Sequence, residues 1–385
     1  MSAKPPAQAD VVIIGGGVIG LSVAYHVARS GAGDVVLLDE GSFGAGSTSK
    51  AAGGVRAQFS DETNIRMGLR GLEVFERFGE LFDQEIDLHQ DGYLFLLDNP
   101  DDVADFERSV ALQQSLGVPS EMIDAAEAKR LSPLIDTEGI LAAAYSPRDG
   151  HCTPESVVLG YARAARRAGA TLMTNCAVTG AEVTGGTIRA VETQGGRIET
   201  GTVICCAGAW SRPVAELFGV DLPVDPLRRQ IVVTEPIPGL PSTMAMTIDF
   251  STSFYFHPEG PGMLIGMSDP HEEVGFKLHR GEEWLTGLAG AIERRVPSLS
   301  EVGLASGWAG LYEMTPDHNG LIGEAPDVSR FLYATGFSGH GFLLGPAVGE
   351  VIGSLVAGQA PFVDVSALGA DRFERAALHH EKNIV

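Results

Sequence analysis

Val11-Val12-Ile13-Ile14-Gly15-Gly16-Gly17-Val18-Ile19-Gly20 runs four β-branched residues straight into the spacing Gly15-x-Gly17-x-x-Gly20. An uninterrupted apolar run of this length suits a parallel strand buried on both faces. Leu21-Ser22-Val23-Ala24-Tyr25-His26-Val27-Ala28 then has helical character. In such a strand–turn–helix unit the first glycine permits the tight turn, the second lets backbone approach a pyrophosphate, and the third lets the helix pack on the strand. The helix N-terminus offers unpaired N–H groups to phosphate. A second apolar run, Val35-Val36-Leu37-Leu38, ends at Asp39-Glu40, and Asp39 stands 19 positions beyond Gly20. That is the place for an acid that holds ribose hydroxyls. Strand, glycines, helix, strand and acid in this order predict a dinucleotide-binding βαβ unit rather than glycines used for packing alone.

The bulk numbers agree with an α/β protein of two intermixed domains. The chain has 385 residues, 44% hydrophobic and 20% charged, within the globular range. Lys and Arg total 27 against 50 Asp and Glu, a formal charge of −23. This argues against nucleic acid and anionic membrane surfaces as partners. A small anionic substrate therefore has to meet a local positive group. The four cysteines, Cys152, Cys176, Cys205 and Cys206, follow no metal-ligand spacing and suit a reducing cytoplasm. The glycines and His26 argue against a membrane span over residues 11–28, and residues 1–10 are expected to form a short disordered lead.

Further along, the loop 41–56 is small, polar and glycine-rich, suited to donating backbone and hydroxyl hydrogen bonds to a large ligand. Residues 61–82 have helical spacing, with a core stripe of Ile65, Leu69, Leu72, Phe75, Phe78 and Leu81. A strand is predicted over 92–97, helices over 101–117, 125–131 and 154–168, and a turn at 149–154. Short strands follow over 171–174, 176–183, 187–193 and 197–199. The strand 202–206 runs into Ala207-Gly208-Ala209-Trp210-Ser211, which is either a second close approach to a cofactor or a tight strand-to-helix turn. Strands over 227–235, 254–257 and 263–267 and a helix over 282–295 complete a second domain. The strand 331–336 meets Phe337-Ser338-Gly339-His340-Gly341-Phe342, followed by a helix over 346–357 and a closing helix over 371–377.

Four separated segments together resemble the FAD-dependent amine and amino-acid oxidoreductases, the family of D-amino-acid oxidase, glycine oxidase, sarcosine oxidase and their β-subunit relatives. They are Gly15–Gly20 with Asp39, then Gly46-Ser47-Thr48-Ser49 through Ala52-Gly53-Gly54-Val55-Arg56, then 207–211, then 336–342. The resemblance implies a Rossmann-like FAD-binding domain of glutathione-reductase type (8–85, 145–222 and 320–385). An interleaved α+β substrate domain built on an antiparallel sheet would take 86–144 and 223–319. It implies FAD contacts at Gly15, Gly17, Val18, Ile19, Gly20, Asp39, Glu40, Gly46, Ser47, Thr48, Ser49, Ala52, Gly53, Gly54, Val178, Ala207, Gly208 and Trp210. Gly339, His340, Gly341, Phe342 and Leu343 would turn their N–H groups to the flavin ring, with the helix from Pro346 aimed at its pyrimidine side.

The family's reaction takes a hydride from the carbon beside an amine nitrogen and leaves an imine that hydrolyses. The resemblance implies substrate contacts at Arg56, Tyr255 and His340, with Tyr255 and His340 as catalytic candidates. Taken alone, Arg56 fits a carboxylate grip or a structural arginine equally, and Tyr255 fits simple strand packing. Arg228 and Arg229 match a feature near the domain junction and are assigned a structural role. Two departures stand out. The lysine that holds substrate carboxylate in monomeric sarcosine oxidase is Leu343 here, and the lysine that promotes its oxygen reaction aligns with Leu264. The cysteine that links its flavin aligns with Gly310, so FAD is expected to be noncovalent. The implied substrate is a sarcosine-like N-methyl or other secondary amine, with O2 or another electron acceptor. Glycine or D-amino-acid oxidase activity, a flavin-bearing β-like subunit needing a partner or a homo-oligomer, and an NAD-dependent dehydrogenase are the alternatives.

Overall fold

The computed structural model describes residues 4–241, 243–374, 378 and 380–384. Val11–Ile14 and Val35–Leu38 are parallel neighbours, buried along their whole length, with the helix Val18–Arg29 crossing between them. The sheet extends in the order Leu321–Glu324, Phe331–Thr335, Val203–Cys205, Val11–Ile14, Val35–Leu38, Thr171–Met173, parallel throughout except for Leu321–Glu324 at one edge. Helices Val18–Arg29, Pro154–Arg167 and Gly341–Val356 pack together against it. Val18–Arg29 and Gly341–Val356 approach unusually closely. Cβ atoms on Gly345, Gly349 and Gly353 would lie 3.0, 2.1 and 2.9 Å from Val18, Ser22 and His26, so glycines every four residues face side chains every four residues. On the opposite face lies an antiparallel meander of Val178–Thr184, Thr187–Thr193 and Gly196–Glu199.

The second sheet has eight strands in the order Leu304–Met314, Asp225–Thr234, Gly262–Met267, Phe254–Glu259, Met246–Asp249, Tyr93–Leu97, Ala142–Ser146, Glu121–Ile123. Its pairs are antiparallel save one, Met246–Asp249 beside Tyr93–Leu97. Ala142–Ser146 straddles the boundary expected between 144 and 145, and its pairing with Tyr93–Leu97 puts it in this sheet. Against this sheet the helix Leu285–Arg295 ends in Arg295, which is 1% exposed and closes an ion pair at 3.4 Å with the fully buried Asp249 of the strand Met246–Asp249. Arg295 Nη1 also donates to the carbonyl of Asp136, so the pair is hydrogen-bonded as buried charges require.

Several local expectations are corrected. The helix expected over 61–82 breaks at Arg77 into Glu62–Glu76 and Phe78–Phe82, and Leu81 is 41% exposed rather than core. Asp61 caps the first of these by accepting from the Thr63 and Asn64 N–H groups. The helix expected from Pro346 begins at Gly341, with His340 as N-cap and Pro346 inside it. The proline removes one bond, to the Phe342 carbonyl, and packing against Val18–Arg29 holds the extra turn. The expected turn at 149–154 contains the strand Gly150–His151, paired with Gly54–Val55. The expected lead is ordered from residue 7, where the Ala7 carbonyl and Ala9 N–H bond to Glu199. Near the end, Ala370–Glu374 is a 3-10 turn, and residues 375–377 of the expected closing helix lie outside the described residues. Among the described residues no helix is long and apolar enough to cross a membrane.

Asp149 joins the two halves. Its carbonyl accepts from Gly92 N–H ahead of the strand Tyr93–Leu97, and its carboxyl accepts from Ala57 N–H at 3.2 Å. The side chain is fully buried, and burial pushes its pKa up to about 7, against the opposing pull of the Ala57 N–H and Arg56.

Two outcomes follow from this architecture. A Cβ on Gly20 would lie 1.9 Å from the Gly15 carbonyl oxygen, so Gly20→Ala forces the helix off the strand. Its thermal midpoint is expected to fall by several degrees and its FAD content to drop, and a wild-type melting curve would refute the packing argument. For Asp149, the folded protein keeps a proton that the unfolded chain releases. Its contribution to stability is therefore complete below about pH 4 and lost as pH rises through about 7. Asp149→Asn cannot lose that proton, so urea midpoints should show the variant gaining on wild type between pH 4.5 and pH 8. A difference that does not change with pH would count against this account.

Candidate active site

A single cavity of about 720 Å³ runs between the two sheets. One end is walled by Leu38, Asp39, Glu40, Cys176 and Val178, the middle by Gly15 to Ile19, Gly44 to Thr48 and Ala207, Gly208 and Trp210. The far end holds Arg56, Tyr93, Arg229, Met246, Tyr255, Tyr312 and the segment Gly339 to Leu343. Of the residues expected to touch cofactor or substrate, all line the cavity but two. Gly20 packs behind it against Gly15, and Ser49 donates its N–H to the Gly44 carbonyl and so shapes the loop from outside.

The walls suit an extended dinucleotide. The Asp39 carboxylate accepts from Gly16 N–H and Gly41 N–H, both at 2.7 Å, one on each oxygen. It thereby pins the glycine turn and keeps lone pairs for hydroxyl donors. Thr48 Oγ1 accepts from Val18 N–H at 3.1 Å, which clamps the glycine-rich loop to the helix start. The next donors of that turn, Ile19 and Gly20 N–H, have no acceptor among the described residues. The N-cap residue, Gly17, has no side chain to satisfy these donors, so beyond the Thr48 contact the positive end of the helix faces the cavity open to a phosphate bridge. A Cβ on Gly15 would meet the Cys206 carbonyl at 2.3 Å, so the floor of the cavity is bare backbone. The start of Gly341–Val356 supplies a second such helix end, capped by no side chain. These features fit FAD.

The far end is aromatic and cationic. Tyr255 crosses Gly266 on the neighbouring strand, where a Cβ would sit 2.1 Å from its ring. Tyr312 leans on Gly339, whose φ of +102° and lack of side chain let the ring approach. Burial raises the pKa of Tyr255 and Tyr312 and pushes Tyr93 up to about 12, so these phenols stay neutral. His340 Nδ1 lies 2.7 Å from the Phe337 carbonyl, which assigns its proton to that nitrogen and leaves Nε2 bare. Burial first, and then the charge of Arg56, lower its pKa to about 3. His340 is thus a neutral imidazole with an edge contact to Phe59 at 5.2 Å.

Arg56 is nearly buried, donates to the Gln58 and Asn383 carbonyls, and lies 4.3 Å from the Phe59 ring centroid. Arg228 and Arg229, grouped as structural from the sequence, separate. Arg228 pairs with Glu272 away from the cavity, whereas Arg229 faces into it, 5.1 Å over the Tyr312 ring. Strand alternation places Arg229 and Ile231 on one face, a signal that was available. Tyr93, Lys50, Tyr312 and Glu313 also line the cavity and were not singled out. Tyr312 and Glu313 belong to Leu304–Met314, a strand whose glycines and polar residues hide its pattern. Glu313 accepts from Thr335 Oγ1 at 3.0 Å, and burial raises its pKa. Leu264 is buried in its sheet and does not reach the cavity. Gly310 does, and a Cβ there would lie 2.6 Å from that of Lys50.

The model of the DAO family, FAD dependent oxidoreductase, matches residues 10–355. Mitochondrial sarcosine dehydrogenase of Mus musculus is 31% identical over 98% of this chain and 42% of its own length. Mitochondrial dimethylglycine dehydrogenase of the same species is 30% identical over 96% of this chain and 45% of its own. The chain thus spans less than half the length of these curated relatives. Among solved structures, L-proline dehydrogenase from P. horikoshii superimposes with a TM-score of 0.91 at 32% identity, covering 97% of this chain and 100% of that one. Glycine oxidase from Geobacillus kaustophilus shares the fold, with a TM-score of 0.84 at 23% identity over 95% and 99% of the two chains. By cavity, fold and sequence together, this chain belongs to the DAO family of FAD-dependent oxidoreductases.

Proposed function

We propose that this protein oxidises the C–N bond of a small secondary amine or N-methyl amino acid. The observation that carries the reading is the far end of the cavity, where neutral tyrosines and two arginines surround a space next to Gly339 to Leu343. Bound FAD supplies the two-electron acceptor that takes the hydride from the carbon beside nitrogen. The amine nitrogen lone pair becomes the C=N π bond, and water then hydrolyses the imine to a carbonyl compound and the shortened amine.

The chain's own part is positioning and exclusion of water. Tyr93, Tyr255 and Met246 wall the space and strip water from the substrate. An ammonium group entering here loses solvation and meets two arginine charges, and both effects lower its pKa. The substrate therefore binds as the neutral amine, with its lone pair free, and no side chain has to remove a proton in the oxidation step. The neutral His340 adds no further positive charge. The cations also answer the net charge of −23, which by itself repels a carboxylate. The names of the relatives, sarcosine, dimethylglycine and L-proline dehydrogenase, support N-substituted amino acids over primary D-amino acids. With a buried leucine, Leu264, at the position of the oxygen-promoting lysine, a dehydrogenase passing electrons to an acceptor other than O2 is favoured, with a partner subunit as one route for them.

Anaerobic mixing with sarcosine, L-proline, glycine and D-alanine tests the substrate class through loss of the oxidised flavin band. Sarcosine or L-proline should bleach it at least tenfold faster than glycine or D-alanine. Bleaching by D-alanine alone would transfer the protein to the D-amino-acid oxidase reading. The reduced protein should reoxidise faster with dichlorophenolindophenol than with air. Because Lys50 occupies the space a side chain at position 310 would need, acid precipitation should release all the FAD into the supernatant, and yellow pellet would show a covalent link.

A further inference from the structure

The two arginines at the far end of the cavity are engaged differently. Arg56 is 5% exposed, and two of its nitrogens donate to backbone carbonyls, those of Gln58 and Asn383. Its guanidinium carbon lies 4.3, 5.9 and 5.5 Å from the ring centroids of Phe59, Tyr93 and Phe95. It ties the end of the chain to the segment that follows the glycine-rich loop, which is the work of a strut.

Arg229 has the opposite character. Among the described residues the one hydrogen bond of its side chain runs from Nη1 to the Arg228 carbonyl at 3.1 Å. Its Nε is shielded from solvent and has no acceptor. A buried N–H without a partner is rare in a folded protein and calls for an explanation. The guanidinium carbon stands over the ring of Tyr312, 5.1 Å from its centroid, a cation–π contact that holds the side chain at the cavity wall. Across the strand pair stands Gly310, which has no side chain to compete for the guanidinium. In a chain with 50 acidic side chains, none of the described ones pairs with this cation.

We propose that Arg229, and not Arg56, is the residue that grips the substrate's carboxylate and so selects amino acids over simple amines. Its side chain lines the cavity, and the Nη–H groups beyond the single bond to the Arg228 carbonyl are the paired donors that a carboxylate accepts. The assignment rests on the reading of this cavity as an amine-oxidising site, and it corrects the structural role that sequence suggested for Arg229.

The test uses the FAD-loaded protein and a binding probe that needs no turnover. Pyrrole-2-carboxylate is titrated against wild type, Arg229→Gln, Arg229→Lys and Arg56→Gln, with pyrrole as the uncharged counterpart, following the perturbation of the flavin absorbance. Wild type should bind the carboxylate. Arg229→Gln should weaken it roughly 10- to 100-fold, as loss of a charged hydrogen-bonding fork does. Arg229→Lys, which keeps the charge but loses the fork, should fall between. Pyrrole should bind all four alike, and Arg56→Gln should show itself mainly as a lower melting temperature. Unchanged affinity in Arg229→Gln, an equal loss of pyrrole, or a wild type indifferent to the carboxylate would each overturn the assignment. If Arg229→Gln does not retain FAD, the Lys variant decides it, and carboxylate affinity equal to wild type there overturns it. Failure of every amine to reduce the flavin, with the probe pattern intact, would instead remove the proposed reaction and leave the anion grip standing.

Discussion

The turn after the first strand has no room for a methyl group. A side chain on Gly15 would begin 2.3 Å from the Cys206 carbonyl, and one on Gly20 would begin 1.9 Å from the carbonyl of Gly15. Strand, turn and helix therefore press backbone on backbone, and the neighbouring strand Val203–Cys205 closes against the same point. The rest is arranged around this contact. The helix Gly341–Val356 reaches its own close packing on Val18–Arg29 through a second set of glycines, which brings a second helix start to the cavity. Two positive helix ends then face one space, and the eight-stranded sheet covers it.

Charge is distributed with the same economy of position. The chain as a whole is strongly acidic, yet the cavity gathers Lys50, Arg56 and Arg229 at or near the end where a substrate would sit. The other titratable groups there are held neutral by burial: the tyrosines because their phenolate forms are disfavoured, His340 because its cation is. A neutral, dry space bordered by fixed cations repels an ammonium and accepts a carboxylate. That combination is what oxidation of an amino acid at its nitrogen-bearing carbon requires.

The cofactor half was legible because its chemistry is local. Gly15 to Gly20 and Asp39 interact through neighbouring elements, and short-range spacing records such contacts. The helix at 346–357 was foreseen but its start was not, since Pro346 reads locally as a first-turn residue while tertiary packing adds a turn before it. Leu81 followed a helical stripe on paper, but the helix breaks at Arg77 and turns that position to solvent. Arg229 shows the other kind of miss. Next to Arg228 it reads as half of one structural feature at the domain junction, and only the pairing of Arg228 with Glu272 and the unpartnered Nε of the cavity-lining Arg229 tell them apart.

What the chain's order of residues determined by itself was the βαβ unit, its glycine turn and its acid, because steric and hydrogen-bonding demands there are met within a few neighbouring segments. What only the tertiary structure decided was which cation is free. Arg56 and Arg229 are 173 positions apart, and their states depend on the carbonyl of Asn383 for one and the ring of Tyr312 for the other. A guanidinium's availability is set by what surrounds it after folding, and no spacing rule carries that information.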